Sequence, residues 1–277
     1  MSFSLCAFAD EAGNSLNEQI NALKSNDISL LEIRGVNGKN IIDLSESELL
    51  DINDKLNSNG IKIWSFGSPI GKINISEPFG EHMDKFKRLL DLAEKTQTEN
   101  IRMFSFFIPN SHNPDVFRDS VFEKLDKFID AAKNYNVTLC HENEKDIYGD
   151  TLERCLDIHK TFSEIKMVFD PANFVQCSVD TIKAFKELTP YIKYMHIKDV
   201  DQNGTLVPAG KGIANIRQLL SLYSDVGSVL TLEPHLKIFD GLESLEGGNK
   251  SNISSNHVYK TNREAFDIAA DALKKFL

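Results

Sequence analysis

Four side chains that commonly bind metal ions follow or end successive apolar runs in the second half of the chain. In chain order they are Glu142, Asp170, His196 and Glu233. Three carboxylates brought into one place repel each other and lose hydration, so they need a cation among them. A divalent ion bound by oxygen and imidazole ligands meets that need, and this ligand set suits Mn²⁺, Mg²⁺, Co²⁺ or Zn²⁺.

Each of these residues, taken alone, has a more ordinary interpretation. A single acidic residue after a strand is most often a helix N-cap, which is the default interpretation of Asp170. A histidine between two apolar residues, like His196, is usually a hydrogen-bonded core side chain. Glu144 competes with Glu142 because strand alternation gives both the same facing, and Glu142 is preferred because it is nearer the strand. The metal site is predicted because four such signals occur in succession.

The elements that must position these residues are short apolar runs alternating with segments of helical periodicity. Runs this apolar are typical of parallel strands buried on both faces. Their starts lie 25 to 40 residues apart, which leaves room for one helix after each strand. The predicted strands are 3–8, 28–33, 61–66, 101–107, 137–140, 166–169, 192–197 and 229–232.

Eight strand–helix units without a break in composition predict an α/β fold, a single (β/α)8 TIM barrel over residues 1–277. A doubly wound open sheet is the alternative, but the GxGxxG motif expected after its first strand is absent. The polar segment 246–256 is predicted to be a long loop after the last strand. In a barrel the carboxyl ends of all strands meet at one mouth, so the four candidate ligands are expected to converge there.

Composition excludes several classes of function. The chain has 41 acidic and 31 basic residues and a net charge of −10, which argues against a nucleic-acid-binding surface. No run approaches the ~18 apolar residues of a membrane span, and the N-terminal segment lacks the features of a signal peptide. The four cysteines are widely spaced and are expected to be reduced thiols. These features predict a cytoplasmic protein that binds neither membranes nor nucleic acids.

The sequence resembles the xylose-isomerase-like superfamily of sugar phosphate isomerases and epimerases over nearly its whole length. The motifs that carry the resemblance are Asp10-Glu11, Glu32-Ile33-Arg34, Ser68-Pro69-Ile70-Gly71-Lys72, Arg102-Met103-Phe104-Ser105, Glu142-Asn143, Asp170-Pro171-Ala172-Asn173, His196-Ile197-Lys198-Asp199 and Glu233-Pro234-His235. The resemblance implies one divalent metal ion held by Glu142, Asp170, His196 and Glu233, with the two glutamates doubling as acid/base groups.

Two positions depart from the ketose epimerases of the superfamily. Asn173 stands where they place a histidine, and Gly210-Lys211-Gly212 stands where many relatives carry Gly-Glu-Gly. Both changes fall where the substrate would lie, so they leave the sugar, and whether it is phosphorylated, undetermined.

Moving a proton next to a carbonyl requires a base, an electrophile for the developing ene-diolate, and an acid. Glu142 and Glu233, on opposite walls of the mouth, are the predicted acid/base pair. The predicted substrate-binding residues are His141, Lys198 and His235 toward hydroxyl groups, Lys72 or Lys211 toward a carboxylate or phosphate, and Asn173.

The sequence therefore predicts a metal-dependent isomerase or epimerase acting on a ketose, its phosphate or a related hydroxy-ketone. A dehydratase of inositol-type polyols would use the same metal and bases, and product mass separates the two. An endonuclease of the apurinic-site type is disfavoured by the low histidine content and the charge, and a non-catalytic sugar sensor has no need of the base pair. Symmetric homo-oligomers are usual for such enzymes, although no interface can be identified from the sequence.

Overall fold

Eight parallel strands close into a barrel in the computed structural model, which describes residues 3–109, 112–239 and 259–277. Each strand pairs with the next in sequence, and the last pairs with the first. The prediction of a (β/α)8 barrel is confirmed, while the predicted loop 246–256 lies outside the described residues. The strands are β1 Ser4–Ala7, β2 Leu30–Ile33, β3 Lys62–Ile70, β4 Asn100–Met103, β5 Thr138–Glu142, β6 Lys166–Phe169, β7 Ile192–Ile197 and β8 Val229–Leu232.

Helices surround the barrel, and none of those described combines the length and apolar character needed to cross a bilayer. The α-helices are α1 Leu16–Ser25, α2 Glu46–Ser58, α3 Gly80–Thr96, α4 Arg118–Ala132, α5 Leu152–Thr161, α6 Pro171–Gln176, α7 Thr181–Leu188, α8 Ile216–Tyr223 and α9 Asn262–Lys274. Short 3₁₀ helices span Ala9–Glu11, Ile41–Asp43, Pro114–Phe117, Tyr148–Asp150 and Thr189–Tyr191. Two ribbons pair Gly35–Val36 with Lys39–Asn40 and Asp199–Val200 with Leu206–Val207.

Local sequence explains where the helices begin and which face they bury. A capping box of Ser45 and Glu48 starts α2, as its S-x-x-E spacing predicts, and Ser15 with Glu18 starts α1 in the same way. Along α3 the apolar residues recur at i, i+3, i+4 and i+7, and that stripe is buried against the barrel.

Two predicted strand ends are wrong by four residues, both where β3 and β4 meet, and the other boundaries differ by at most two residues. Strand β3 runs on to Ile70 because Phe104 N donates to the Ile70 carbonyl (2.8 Å), which extends the pairing. Strand β4 ends at Met103, short of the predicted 107, and Phe106 adopts φ 67°. Gly71 (φ +86°) passes so close to Phe104 that a Cβ would lie 2.0 Å from its carbonyl oxygen. Only glycine fits this crossing.

Side chains that point into the barrel form layers, because successive residues of a strand face opposite ways. The lower layer is apolar or weakly polar and contains Cys6, Cys140, Val168, Tyr194 and Val229. Moving two residues along each strand toward its carboxyl end reaches the next inward position. At β5, β6 and β7 those positions are Glu142, Asp170 and His196. The charged layer therefore lies directly above this closely packed lower layer.

All four cysteines are free thiols, as their wide spacing predicts.

Candidate active site

The four predicted metal ligands converge at the mouth of the barrel. One potential ligand atom from each of Glu142, Asp170, His196 and Glu233 lies within 4.8 Å of those of the other three, and all four residues are buried. Nδ1 of His196 is 3.0 Å from Glu233 Oε2, 3.1 Å from Glu142 Oε1 and 4.0 Å from Asp170 Oδ2. The imidazole nitrogen is thus central to three carboxylates that come from three other strand ends.

The other side of the His196 ring is held by a fourth carboxylate. Nε2 of His196 is 3.2 Å from Glu32 Oε2, and Tyr194 donates a 2.7 Å hydrogen bond to Glu32 Oε1. When His196 is neutral, donation of the Nε2 proton to Glu32 leaves the Nδ1 lone pair toward the cluster. A carboxylate behind a ligating histidine is the usual second partner at protein metal sites.

Asp170 is both a helix N-cap and a candidate metal ligand. Its Oδ1 accepts the backbone N–H of Asn173 at 2.9 Å and so caps α6, as the N-cap interpretation requires. Its Oδ2 is buried and accepts no hydrogen bond from any described residue, although Lys198 Nζ lies 2.8 Å away. One oxygen therefore positions the helix while the other faces the cluster.

Each glutamate of the cluster divides its two oxygens in a similar way. Glu142 directs Oε1 toward His196 and Oε2 toward Arg102 Nη1 (3.0 Å). Glu233 directs Oε2 toward His196 and Oε1 toward Arg34 Nη1 (2.9 Å). Arg102 Nη1 also lies 3.6 Å from Glu233 Oε1, so one guanidinium touches both predicted acid/base groups. Arg102 therefore holds Glu142, and Arg34 holds Glu233, by the carboxylate oxygen that does not face His196.

Burial and the neighbouring charges shift the pKa values of the cluster residues. Burial opposes protonation of His196, but Glu142, Glu32 and Glu233 together hold the pKa of its imidazole well above the ordinary value. Burial raises the pKa of Asp170 to about 6 against the opposing influence of Lys198, with Glu142 and Glu233 adding to the rise. Glu233 has a pKa well below its ordinary value because Lys198 and His196 outweigh its burial. The carboxylates around His196 therefore favour a positive charge at its Nδ1.

These residues fit a divalent metal ion. Three carboxylate oxygens and an imidazole nitrogen are ligands that such ions accept, and the buried Asp170 Oδ2, which accepts no hydrogen bond from any described residue, faces them beside the Lys198 ammonium. A proton on His196 would satisfy the same carboxylates, so metal binding would compete with that proton.

A second acidic group with a histidine lies beside the first. Glu11 Oε1 is 3.3 Å from His235 Nε2, and His235 Nε2 is 3.4 Å from Glu233 Oε1. The guanidinium of Arg34 already contacts all three residues and supplies a positive charge there. Burial, aided by Glu233 against the influence of Arg34, raises the pKa of Glu11 to about 8.

A cavity lies above the cluster. Of the predicted substrate-binding residues, Asn173, Lys198, His235 and Lys72 line it, as do Glu142 and Glu233. His235 is aimed by strained backbone, with φ 45° and its backbone N–H donated to Glu11 Oε2 at 2.7 Å. Asn173 donates to the Asn143 carbonyl at 2.9 Å and approaches Glu142 Oε1 at 3.4 Å.

Lys72 and Glu144 meet on the cavity wall. Lys72 Nζ lies 3.1 Å from Glu144 Oε2 and 4.4 Å from the centre of the Phe104 ring. Burial alone would raise the pKa of Glu144, but Lys72 and Lys198 lower it to about 2. Glu144 faces the same cavity as Glu142, as strand alternation predicts, and pairs with Lys72 outside the four-residue cluster.

The structure does not bring His141 or Lys211 to the cavity. His141 is the outward neighbour of inward-facing Glu142, and its Nε2 contacts Ser105 Oγ at 3.0 Å in the layer toward the helices. Its ring meets His159 edge-on, and burial lowers its pKa well below the ordinary value. Lys211 is exposed on the loop after β7 and does not line the cavity.

The site residues that sequence reasoning missed as functional candidates include Glu32, Arg34 and Arg102. All are buried at the carboxyl ends of β2 and β4 or just beyond. The signal that could have found them is the same strand alternation that places Glu142, because a charged residue at an inward position must find a partner. Their motifs carry part of the resemblance to the superfamily, which assigns these three residues no role.

A family model described as a xylose isomerase-like TIM barrel matches residues 20–250. The chain is similar to the solved structure of the probable 3-DHS dehydratase AsbF from Bacillus anthracis, with TM-score 0.74, 17% identity and 99% of each chain covered. It is similar to the IOLI protein with a bound zinc atom, with TM-score 0.75, 17% identity and 99% and 97% covered.

A third similar structure is D-psicose 3-epimerase from Clostridium cellulolyticum H10, with TM-score 0.75, 15% identity and 99% and 98% of the two chains covered. Comparison with curated proteins gives no significant match. At these identities the solved structures establish a shared fold over nearly the whole chain.

Proposed function

Because the chain belongs to the xylose isomerase-like TIM barrel family, as its motifs predict, we propose that it is a metal-dependent isomerase or epimerase. It would move a proton next to the carbonyl group of a ketose or related hydroxy-ketone. The observation that carries this proposal is the placement of Glu142 and Glu233, which face one His196 nitrogen and line one cavity.

The residues that would hold the metal ion are Glu142, Asp170, His196 and Glu233. An ion such as Mn²⁺, Mg²⁺, Co²⁺ or Zn²⁺ would polarise the substrate carbonyl and offset the negative charge that develops on its oxygen. Glu32 would keep the imidazole of His196 in the ligating tautomer through the 3.2 Å contact at Nε2.

The two glutamates would carry the proton. In epimerisation one carboxylate removes the proton from the carbon beside the carbonyl, and the other returns a proton to the opposite face. In isomerisation the proton moves between neighbouring carbons, with transfer between the two substrate oxygens completing the exchange. Arg34 and Arg102 hold one oxygen of each glutamate, which keeps the carboxylates oriented during transfer.

Polar groups on the cavity wall would orient the substrate. Lys198 and His235 flank Glu233, with Lys198 Nζ 3.4 Å from Oε2, and Asn173 lies beside Glu142. Burial lowers the pKa of His235 to about 4 despite Glu233, so its ring is neutral near pH 7 and can both donate and accept. Such a wall suits a compound with several hydroxyl groups.

Dehydration of a polyol is the second candidate reaction, and the position of Lys198 favours it. Removal of a C–H proton by a glutamate, followed by cleavage of a C–O bond, requires a proton for the leaving hydroxyl. The buried ammonium of Lys198 lies beside Glu233, where it could supply that proton so that water departs. Product mass separates the two reactions, since only dehydration loses water.

Proton exchange in D₂O tests the proposal. The protein with added Mn²⁺ would be incubated with pooled ketoses, ketose phosphates and inositol-derived ketones, and carbon-bound protons followed by NMR. We expect deuterium to enter at one carbon, and we expect EDTA or Glu233→Gln to abolish it. Glu123→Gln, which alters an exposed ion pair on α4, serves as the matched control and should exchange normally.

Failure of every pool to exchange, with metal binding confirmed, would contradict the proposal. The remaining hypotheses would then be an endonuclease of the apurinic-site type and a non-catalytic sugar sensor, and duplex DNA containing an abasic site would be the next ligand to test. Binding that weakens steeply with salt would support the endonuclease.

A further inference from the structure

The ion pair of Lys72 and Glu144 crosses the cavity wall between two loops that follow different strands. Lys72 follows β3, Glu144 follows β5, and their side chains are 7% and 14% exposed. Both residues line the cavity, yet neither belongs to the cluster that would hold a metal ion. The pair is therefore a feature of the substrate wall, separate from the proposed metal ligands.

A lysine on a cavity wall binds a phosphate or carboxylate when its charge is uncommitted. The charge of Lys72 is committed, since Glu144 Oε2 is 3.1 Å away and the ammonium also lies over the Phe104 ring. An anionic substrate group placed here would have to separate a buried ion pair or lie against a carboxylate, and both are costly.

The deeper cations of the cavity are committed in the same way. Arg34 is bidentate to Asp10 at 2.8 and 2.9 Å, Arg102 contacts Glu142 at 3.0 Å, and Lys198 contacts Asp170 at 2.8 Å. Each of these three cations therefore already has a carboxylate partner within the protein.

Lys145 also lines the outer part of the cavity, between Glu144 and Asp146. Its backbone N–H donates to Glu144 Oε1 at 3.0 Å, so the carboxylate of Glu144 is held beside it. Glu144 and Asp146 also line the cavity, so its outer part holds two acidic side chains together with Lys72 and Lys145. Hydroxyl groups, which both donate and accept, match such a wall.

We propose that this cavity selects an uncharged polyhydroxy ketone over its phosphate or a carboxylate-bearing analogue, and that the Lys72–Glu144 pair determines this selection. The inference rests on the proposed function and narrows its substrate class. Glu144 acts by neutralising Lys72, and the pair offers one donor and one acceptor to substrate hydroxyls far from the reacting carbon.

Charge variants of the pair test the inference. Glu144→Gln keeps the shape of the side chain and leaves Lys72 without its carboxylate. Lys72→Met combined with Glu144→Gln removes both charges. Glu123→Gln is the matched control, because it breaks the exposed pair with Lys127 on α4. Binding would be measured by calorimetry on the Mn²⁺-loaded protein, with free ketohexoses, their terminal phosphates, D-sorbitol and D-sorbitol 6-phosphate.

We expect the unmodified protein to bind the free compounds more tightly than their phosphates. Glu144→Gln should shift the ratio of affinities toward the phosphates by at least about tenfold, because the charge of Lys72 is then no longer offset by the carboxylate of Glu144. The double variant should return the ratio to that of the unmodified protein, and Glu123→Gln should not change it. Any direct contact of phosphate with the metal cancels when these ratios are compared.

Tighter binding of phosphates by the unmodified protein, an unchanged ratio in Glu144→Gln, or binding of neither class would overturn the inference. The sugar alcohols have no carbonyl, so their binding does not depend on turnover. Proton exchange seen only with phosphates would overturn the inference and leave the proposed function intact. The expected binding ratios without any proton exchange would contradict the proposed function alone.

Discussion

Glu32 Oε2 lies 3.2 Å from Nε2 of His196, and the two buried side chains face each other inside the barrel from β2 and β7. The contact orients the imidazole so that Nδ1 faces three carboxylates. It links a residue early in the chain to the candidate metal centre, 164 positions away.

The first prediction concerns this contact. Glu32→Gln keeps a hydrogen-bond acceptor for Nε2 and removes the charge that makes Nδ1 a better ligand, so affinity for Mn²⁺ or Co²⁺ should fall about 10–100-fold. Calorimetric titration of the metal-free protein with Mn²⁺ or Co²⁺ measures this affinity. Tyr194→Phe is the matched control, because it removes the hydroxyl bonded to Glu32 and keeps the Glu32–His196 contact, so the loss should be smaller. Unchanged affinity in Glu32→Gln would argue against His196 as a ligand.

The second prediction concerns Arg102, whose side chain is buried between Glu142, Glu233 and the Gly67 carbonyl. Arg102→Met leaves two buried carboxylates without this partner, so the free energy of unfolding should fall by about 3–5 kcal/mol. Arg118→Met is the matched control, since its pair with Asp157 is 41% exposed on the arginine side and should contribute no more than about 1 kcal/mol. Urea denaturation of the metal-free variants compares the two, and equal losses would contradict the prediction.

The third prediction concerns pH and His82 on α3. Gly71 N donates a 2.7 Å hydrogen bond to His82 Nε2, and burial, with Lys85 nearby, lowers the pKa of His82 from 6.5 to about 4. Between these values the unfolded chain binds a proton that the folded chain does not. Stability therefore falls as pH drops from about 6.5 to about 4, by up to about 3 kcal/mol from this group.

His82→Gln isolates that contribution, because its neutral amide can accept the Gly71 N–H and does not titrate. The stability difference between the two proteins should change across pH 4 to 6.5 and stay constant above it. Denaturation curves at a series of pH values measure this difference. A pH-independent difference would show that His82 is not held neutral in the fold.

The fourth prediction concerns Asp199, which organises the loop after β7. Its Oδ1 accepts backbone N–H groups of Val200 and Ala214 at 2.9 and 3.1 Å, and its Oδ2 accepts those of Gly210 and Gly212 at 2.9 Å. Asp199→Asn replaces one acceptor oxygen with an amide NH₂ and should leave two backbone donors without a partner, at about 1–3 kcal/mol each.

Hydrogen exchange of the loop amides measures the effect of Asp199→Asn. Exchange should accelerate at two of these backbone amides before the barrel strands change. A uniform acceleration across β1 to β8 would instead show that Asp199 stabilises the whole fold. Leu206 from this loop lines the cavity, so a loosened loop should also raise KM more than it lowers kcat.

The sequence by itself determined the eight strands and four of the residues at their ends. Windows of four to seven residues rich in β-branched and aromatic side chains specify buried strands, because that pattern buries both faces of a parallel sheet. Strand alternation then carries Glu142, Asp170 and His196 to the same layer without any knowledge of distant contacts. The N-cap role of Asp170 was also visible locally, since it depends on the neighbouring Asn173.

Only the tertiary structure decided which charges meet. Arg34 contacts Glu233 across 199 positions and Lys72 contacts Glu144 across 72, and no local pattern relates such pairs. The outward facing of His141 needs no tertiary information, because alternation within β5 gives His141 and Glu142 opposite facings. Ion pairing inside a barrel depends on which loops approach each other above the strand ends. That approach is set by packing of the whole fold, which residue type and spacing do not encode.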